Sequence, residues 1–510
     1  MGSALSKAKP PTVKPRDNQR VLAASEHVEP IRKVLVKLGE KIQGQVLLAP
    51  NGKDESEASE AYHTQRERTF YLNDANYPSA IVLVETAEDV AETIQAVQAI
   101  IADDGSNEKY KLCIAGGCHS NYCMVEQSIT MDLQLLASVM VDTDAKTIAI
   151  GGGAKIGQAH YALKGMGLGF ATGTNPDTGV SGLTMAGGAG YLGGQAGYGC
   201  DTVVQAKVVL PSGELVTATD NNDHKDLLRA VRGGGGNFGV VVEWTFKLYD
   251  VSSAIGGTIV HMAPTVTSLR KVLTNYAAIL EDDMPDQAGS ICACPAGAPV
   301  FVNVATVIGD GAKNVKSYKK IPFLAKMSSL GAWFRVSNNL GPKDYIDEIT
   351  VLLEPIQQRT HGVAIGAMVY SFDEQMREAI VHFTRVEYPK SKKVRPTIIC
   401  ACLSGEMRRN DGSRSSLRHR KAQAWILVES AWEPDATEEE KDSIKVWAKR
   451  VKAKIMELGG EDGPHNFCDT DGRRIKFFTD EQRDFLSMAK TKYDPTNLLS
   501  LNKNIISHSE

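Results

Sequence analysis

The chain has 510 residues with a 42% apolar share, long enough for two domains or for one large α/β domain carrying an insertion. Lys and Arg number 57 against 61 Asp and Glu, and the formal net charge of -4 excludes the basic footprint of a nucleic-acid binder and leaves a small molecule as the expected partner. No apolar run approaches the ~20 residues of a membrane-spanning helix and the N-terminus lacks the apolar core of a secretory signal, which predicts an intracellular, cytoplasmic protein.

Residues 1–20 are polar and rich in Pro and Lys, and are predicted to form a disordered tail. The start, Met1-Gly2-Ser3-Ala4-Leu5-Ser6, fits the N-myristoylation pattern with Gly2 as acceptor. Lys7, Lys9, Lys14 and Arg16 supply the second, electrostatic signal that a single acyl chain needs to hold a membrane. A plain disordered tail is the other reading.

Residues 80–84 read as an apolar strand. Thr86 can cap a helix with Asp89 at its third position, and Val90, Ile94, Val97 and Ile101 then make one apolar face. Residues 111–114 are the next strand. This β-α-β unit delivers Gly116-Gly117-Cys118-His119-Ser120 to a strand end, where ligands bind in α/β folds. Its glycines let backbone N–H groups approach a pyrophosphate, and the imidazole of His119 beyond them can carry a cofactor covalently. Cys113, Cys118, His119 and Cys123 are all soft ligands, but their spacing matches neither a zinc knuckle nor a plant-type iron-sulfur run, so no metal is expected. Nine cysteines, several in the strand-like runs 291–294 and 399–402, suit reduced buried thiols.

Short strands at 129–133, 139–141 and 147–150 follow, with a turn at 144–146, and a helix at 158–166 is stopped by Gly167. Segment 171–190 is the richest of the chain in candidate contacts: Thr172, Gly173, Thr174, Asn175, Thr178, Gly179, Ser181, Gly182, Gly187 and Gly188. So many glycines cannot form an ordinary helix. They permit loops whose amides wrap an extended ligand. Gly188-Ala189-Gly190-Tyr191-Leu192-Gly193 spells a nicotinamide-type dinucleotide fingerprint, but no β-α-β unit frames it.

A hairpin at 203–219 precedes a second glycine loop at 232–240, which ends on Val240 and runs into a strand at 241–248. After residue 250 glycine thins out and strands alternate with amphipathic helices, as at 272–280 and 438–458. The run 424–432 is strand-like. Period two places Glu429 on one face with Trp425, Leu427 and Ala431, where it is either a desolvated carboxylate facing a site or a solvated outward group. The final segment, 493–505, reads as a loop in which asparagines, Asn502 and Asn504 among them, fasten nearby backbone.

Together Gly116-Gly117-Cys118-His119-Ser120, the segment 179–190, the loop 232–239 and the Tyr493-Asp494-Pro495 ending resemble the berberine-bridge-enzyme-like FAD-linked oxidases, of the vanillyl-alcohol oxidase and p-cresol methylhydroxylase (PCMH) fold. The resemblance is strong over 66–250 and 493–505 and weak between. It implies an α+β architecture: a two-part FAD-binding domain of the PCMH type, residues 21–250 with a core at 72–250 and a C-terminal return at 466–510. An α/β substrate domain, an antiparallel sheet covered by helices, is inserted at 251–465. By position His119 matches the histidine that links to the flavin, so FAD held covalently through one histidine is implied, with molecular oxygen as acceptor and hydrogen peroxide as product.

Departures from the family pattern carry information too. Asn175 stands where many relatives have a second flavin-linking cysteine, so a second link is not implied. Pro464-His465-Asn466-Phe467 replaces a Tyr-x-Asn-Tyr sequence whose tyrosines help deprotonate the substrate, so both phenols are missing. Glu429, His465 and Tyr122 are the candidates for the base. The implied reaction is oxidation of an alcohol, sugar or secondary metabolite; a dehydrogenase, an oxidative cyclase and a non-catalytic flavin-binding protein are the alternatives.

Overall fold

The computed structural model describes residues 17–507 apart from 52–55, 73–75, 106–107, 121, 283, 355–357, 464–465, 467–476 and 502. Order begins inside the segment expected to be a disordered tail. Asp17 caps the helix Asn18–Val28, its side chain accepting from the backbone N–H of Gln19 and Arg20 at 3.1 and 3.2 Å. Arg20 then pairs with Glu126 at 2.6 Å, which anchors this helix to the loop beyond the His119 turn. Gly2 lies outside the described residues.

The first sheet has strand order β1-β2-β4-β3, with β1 Gln45–Leu48, β2 Ala80–Leu83, β3 Leu112–Ala115 and β4 Ile129–Asp132. β2, β4 and β3 run parallel and β1 adds antiparallel to β2. Between β2 and β3 runs the helix Ala87–Asp104, capped as its sequence predicts: the Thr86 hydroxyl accepts from the N–H of Asp89 at 3.1 Å. Val90, Ile94 and Val97 from its buried face pack with Val82, Leu112 and Met131 of the strands.

The second sheet is antiparallel with order β5-β6-β9-β7-β8, where β5 is Val139–Asp142, β6 Thr147–Gly151, β7 Val203–Val209, β8 Leu215–Thr219 and β9 Val240–Lys247. The glycine-rich segment between β6 and β7 does contain one turn and a half of helix, Val180–Met185, which the glycine count alone spoke against. The helix expected at 158–166 starts earlier and ends earlier, at Ile156–Leu163, with the Gln158 side chain accepting from the N–H of Lys155 at 2.8 Å.

The inserted region builds one nine-stranded antiparallel sheet. Its main strands follow the order β13-β10-β12-β11-β15-β16-β14: β10 Ala254–Met262, β11 Ala288–Pro295, β12 Val300–Ile308, β13 Arg335–Asn338, β14 His361–Val369, β15 Val394–Cys402 and β16 Ala424–Trp432. The helices Val266–Asp282, Glu374–Arg385 and Glu438–Glu457 cover one face, with Ile398, Ile426, Val428 and Trp447 in the shared core. The other face turns toward the first two sheets. Finally the helix Asp480–Tyr493, for which the sequence reading offered no element, packs Leu486, Ala489 and Tyr493 into the core of the second sheet, and the loop expected at 493–505 follows it.

Candidate active site

The strand β3 ends at Ala115, and the next residues cross directly against a second loop. A Cβ on Gly117 would lie 2.2 Å from the nitrogen of Gly179, so the two backbones touch and neither position admits a side chain. Cys118 takes a left-handed φ of 54°, and both Cys118 and His119 line the cavity. Behind the turn, the Nη2 of Arg68 meets three groups, the Cys118 sulfur at 3.2 Å, the Gly116 carbonyl at 3.1 Å and the Asp132 carboxylate at 3.0 Å, while its Nη1 donates to the Gln134 side chain. Hydrogen bonding to Cys123 and the Arg68 charge pull the Cys118 thiol below its ordinary range, while burial lifts Asp132 to about 6 in spite of Arg68.

His119 stacks on Phe70 with ring centroids 3.9 Å apart and planes at 27°. Burial brings its pKa down to about 4, so the imidazole is neutral at physiological pH. Its Nε2 is buried with no hydrogen-bond partner among the described residues. An orphaned acceptor or donor at the edge of a cavity marks a place for a ligand atom.

That cavity has a volume of about 290 Å³ and is lined by Gly116, Gly117, Cys118, His119, Ser120, Gly173, Thr174, Asn175, Thr178, Gly179, Ser181, Gly182, Gly188 and Val240. Gly182 faces open space, with nothing within 4 Å of where its Cβ would be. Asn175 accepts from the N–H of Asp177 at 2.9 Å, so its side chain folds the loop. The Ser181 hydroxyl donates to the Gly152 carbonyl at 2.5 Å and accepts from the Trp244 indole at 2.9 Å, which fixes the short helix on the second sheet. The second glycine loop, from Gly234 to Val240, closes the same wall.

A buried ion pair holds that loop. Lys490 and Asp494, both fully buried, meet at 2.6 Å; Lys490 also donates to the Asn237 and Leu499 carbonyls at 3.0 and 3.1 Å, and Asp494 accepts the N–H groups of Leu498 and Leu499 at 2.9 Å each. This arrangement places Leu499, Leu501 and Lys503 on the cavity. Among the described residues Asp494 fastens the C-terminal segment. Asn504 is exposed and does not line the cavity, and Asn502 lies outside the described residues. Asp494 was legible as part of a motif, but its partner Lys490 was not.

Thr172 and Gly187 lie one layer back from the cavity. The carbonyl of Thr172 presses on Gly190 and Gly187 packs against Leu417, so both support the wall from behind without reaching the cavity.

From the opposite side, β16 sends Trp425, Leu427 and Glu429 to the cavity and buries Ile426 and Val428 under the helices. Glu429 thus faces the cavity and is partly exposed there. Thr397 and Ala364 flank it across the sheet, and no hydrogen-bond donor among the described residues reaches its carboxylate. Burial raises its pKa to about 7, with Arg395 offsetting only a part. Tyr122 also lines the cavity, but with the groups of the glycine-loop side: Lys503 lies 4.5 Å above its ring and its carbonyl accepts from Cys113 at 3.2 Å. His465 lies outside the described residues, while Asn466 beside it donates to the Gly182 carbonyl at 2.9 Å.

The segment 411–421 ties the two sides together and had no signature in the sequence. Arg420 makes two 2.6 Å contacts with Asp201, Arg232 meets Asp220 at 2.6 Å, and Arg414 adds a second guanidinium on Asp220. Burial pushes the Asp220 carboxyl up, but the two guanidiniums outweigh it and bring it to about 2.

The glycine-lined half of this cavity, with its neutral histidine and its orphaned ring nitrogen, fits an extended dinucleotide bearing a flat ring. Residues 78–219 match the family model described as an FAD binding domain. An FAD-linked oxidoreductase of Dictyostelium discoideum is 26% identical over 88% of this chain and 93% of its own length. The match to the (R)-6-hydroxynicotine oxidase of Paenarthrobacter nicotinovorans, at 30% identity, spans 40% of this chain and 43% of that relative. Among solved structures, 6-hydroxy-D-nicotine oxidase from Arthrobacter nicotinovorans superposes with a TM-score of 0.76 at 23% identity, covering 91% of this chain and 98% of that one. Glucooligosaccharide oxidase from Acremonium strictum, whose flavin is described as 6-S-cysteinyl, 8α-N1-histidyl FAD, does so at 0.77 and 20%, covering 93% and 99%. The likeness to these structures concerns the fold. The chain thus carries an FAD binding domain at 78–219, is similar over nearly its full length to an FAD-linked oxidoreductase, and shares the fold of the PCMH-type FAD oxidases, berberine-bridge-like proteins among them.

Proposed function

We propose that the protein oxidises an alcohol or amine carbon of a small molecule, with Glu429 as the base that takes the O–H or N–H proton and FAD attached covalently to His119. When bound, FAD supplies the two-electron acceptor for the hydride of the adjacent carbon. The observation that carries the reading is the placement of one carboxylate, raised to about 7 by burial, on the cavity wall opposite the glycine loops. A base poised near neutral pH can both accept a proton in the reaction and release it afterwards. Removal of that proton together with the hydride leaves a C=O or C=N product, and molecular oxygen as final acceptor gives one hydrogen peroxide per turnover.

The histidyl link is supported by the neutral imidazole, its stacking on Phe70 and the unpartnered Nε2. Acid precipitation followed by in-gel fluorescence tests it: yellow colour stays with the denatured chain, and His119→Ala releases it. Colour released from the wild-type protein would reduce His119 to a lining residue. Reduction of bound flavin by substrate without peroxide release would assign a dehydrogenase instead. Peripheral membrane contact through a myristoylated Gly2 belongs to the same proposal. Flotation of the myristoylated chain with anionic vesicles, lost in Gly2→Ala, is its test.

A further inference from the structure

The strand β16 does not act alone at the cavity. Opposite Trp425 stand Ala401 on β15 and Met368 on β14, opposite Leu427 stands Ile399, and Ile291 on β11 continues the row beside Ala401. All of these side chains line the cavity. The wall contributed by residues 254–463 is therefore an apolar floor, and among its described residues Glu429 is the one ionisable group; no Ser, Thr, Asn, Gln, Asp, Lys, Arg or His joins it.

Such a floor discriminates by what it cannot satisfy. A saccharide ring presents a hydroxyl on almost every carbon, and each one buried without a partner costs about 1–3 kcal/mol. An aromatic or alicyclic ring loses nothing there and gains by contact with Trp425, Leu427 and Met368. A single hydroxyl or amine on that ring finds its acceptor in Glu429, which in turn lacks a donor among the described residues.

Resting on the reading of Glu429 as the base, the geometry points to a substrate with a mainly apolar ring body and a single O–H or N–H donor directed at Glu429, and against a saccharide. Apart from Glu429 and the Trp425 indole, the polar side chains that line the cavity come from outside residues 254–463.

The test is a binding titration of the flavin-loaded protein, followed by the perturbation of flavin absorbance, with benzyl alcohol and benzylamine against cellobiose. The expected result is a saturable shift with the benzylic probes at least tenfold tighter than with cellobiose, and a smaller ratio in Leu427→Asn. Cellobiose binding as tightly as the benzylic probes, or no saturable shift with either benzylic probe, overturns the assignment. Glu429→Gln separates the two claims. A wrong base shows as undiminished turnover in that variant, whereas a wrong substrate class shows in the order of probe affinities of the unaltered protein.

Discussion

On the flavin side of the cavity, Gly117 and Gly179 approach so closely that a Cβ on either would lie 2.2 to 2.4 Å from the nitrogen of the other. On the substrate side, Trp425, Leu427 and Glu429 alternate with residues buried under the helices, and each projects a full side chain into the cavity. One wall is made by omitting side chains and the other by displaying them. The first cannot take on an atom without moving backbone, whereas the second can be rewritten residue by residue while β16 keeps its pairing with β14 and β15. On the proposed function the cofactor lies against the rigid wall and the substrate against the replaceable one.

The largest test of this contrast adds one methyl group. Gly117→Ala forces its Cβ into the Gly179 backbone, and the purified variant is expected to lack flavin altogether by absorbance, whereas Leu427→Ala keeps a full complement. Next comes a change of chemistry without change of shape: Glu429→Gln leaves flavin content intact and lowers turnover by about 10²-fold to 10⁴-fold. In the unaltered protein, turnover rises with pH through about 7, because only the deprotonated carboxylate accepts a proton. Stability moves the opposite way. The raised carboxyl ionises first in the unfolded chain, so its contribution to stability is intact below about pH 4.3 and is lost as the pH climbs to about 7. Thermal melts should accordingly show Glu429→Gln gaining on the parent at about pH 8 and not at about pH 4.

Smaller effects test the supports behind the walls. Asp494→Ala strands the buried Lys490 ammonium and should cost about 3–5 kcal/mol in denaturant unfolding, with flavin retention falling alongside. Arg414→Ala removes a half-exposed partner from an Asp220 that keeps Arg232, and a loss of no more than about 1 kcal/mol is expected.

How much of this could be read beforehand follows from the range of each interaction. The Thr86 cap, the hairpin of β7 and β8, and the two glycine loops are written in residues a few positions apart, and all of them were legible. The face of β16 carrying Glu429 was legible as a face, since alternation fixes which residues travel together, but not which way that face pointed. The helices Asn18–Val28 and Glu57–Arg66 were missed because their apolar stripes are short and interrupted by polar residues. Arg68 with Asp132, Phe70 with His119 and Arg420 with Asp201 join positions far apart in sequence, and a single chain gives no signal for such pairs. One missed element did leave a trace: Thr479 and Gln482 form a capping box at the start of the helix Asp480–Tyr493.

The Lys490–Asp494 pair also sets an order of events in biosynthesis. The glycine loop 232–240 leaves the ribosome long before residues 490–499 exist, yet its Asn237 carbonyl waits for the Lys490 ammonium and its neighbouring wall for Leu499. A nascent chain carrying the whole first half thus has this wall of the cavity unfinished until residues 490–499 are made.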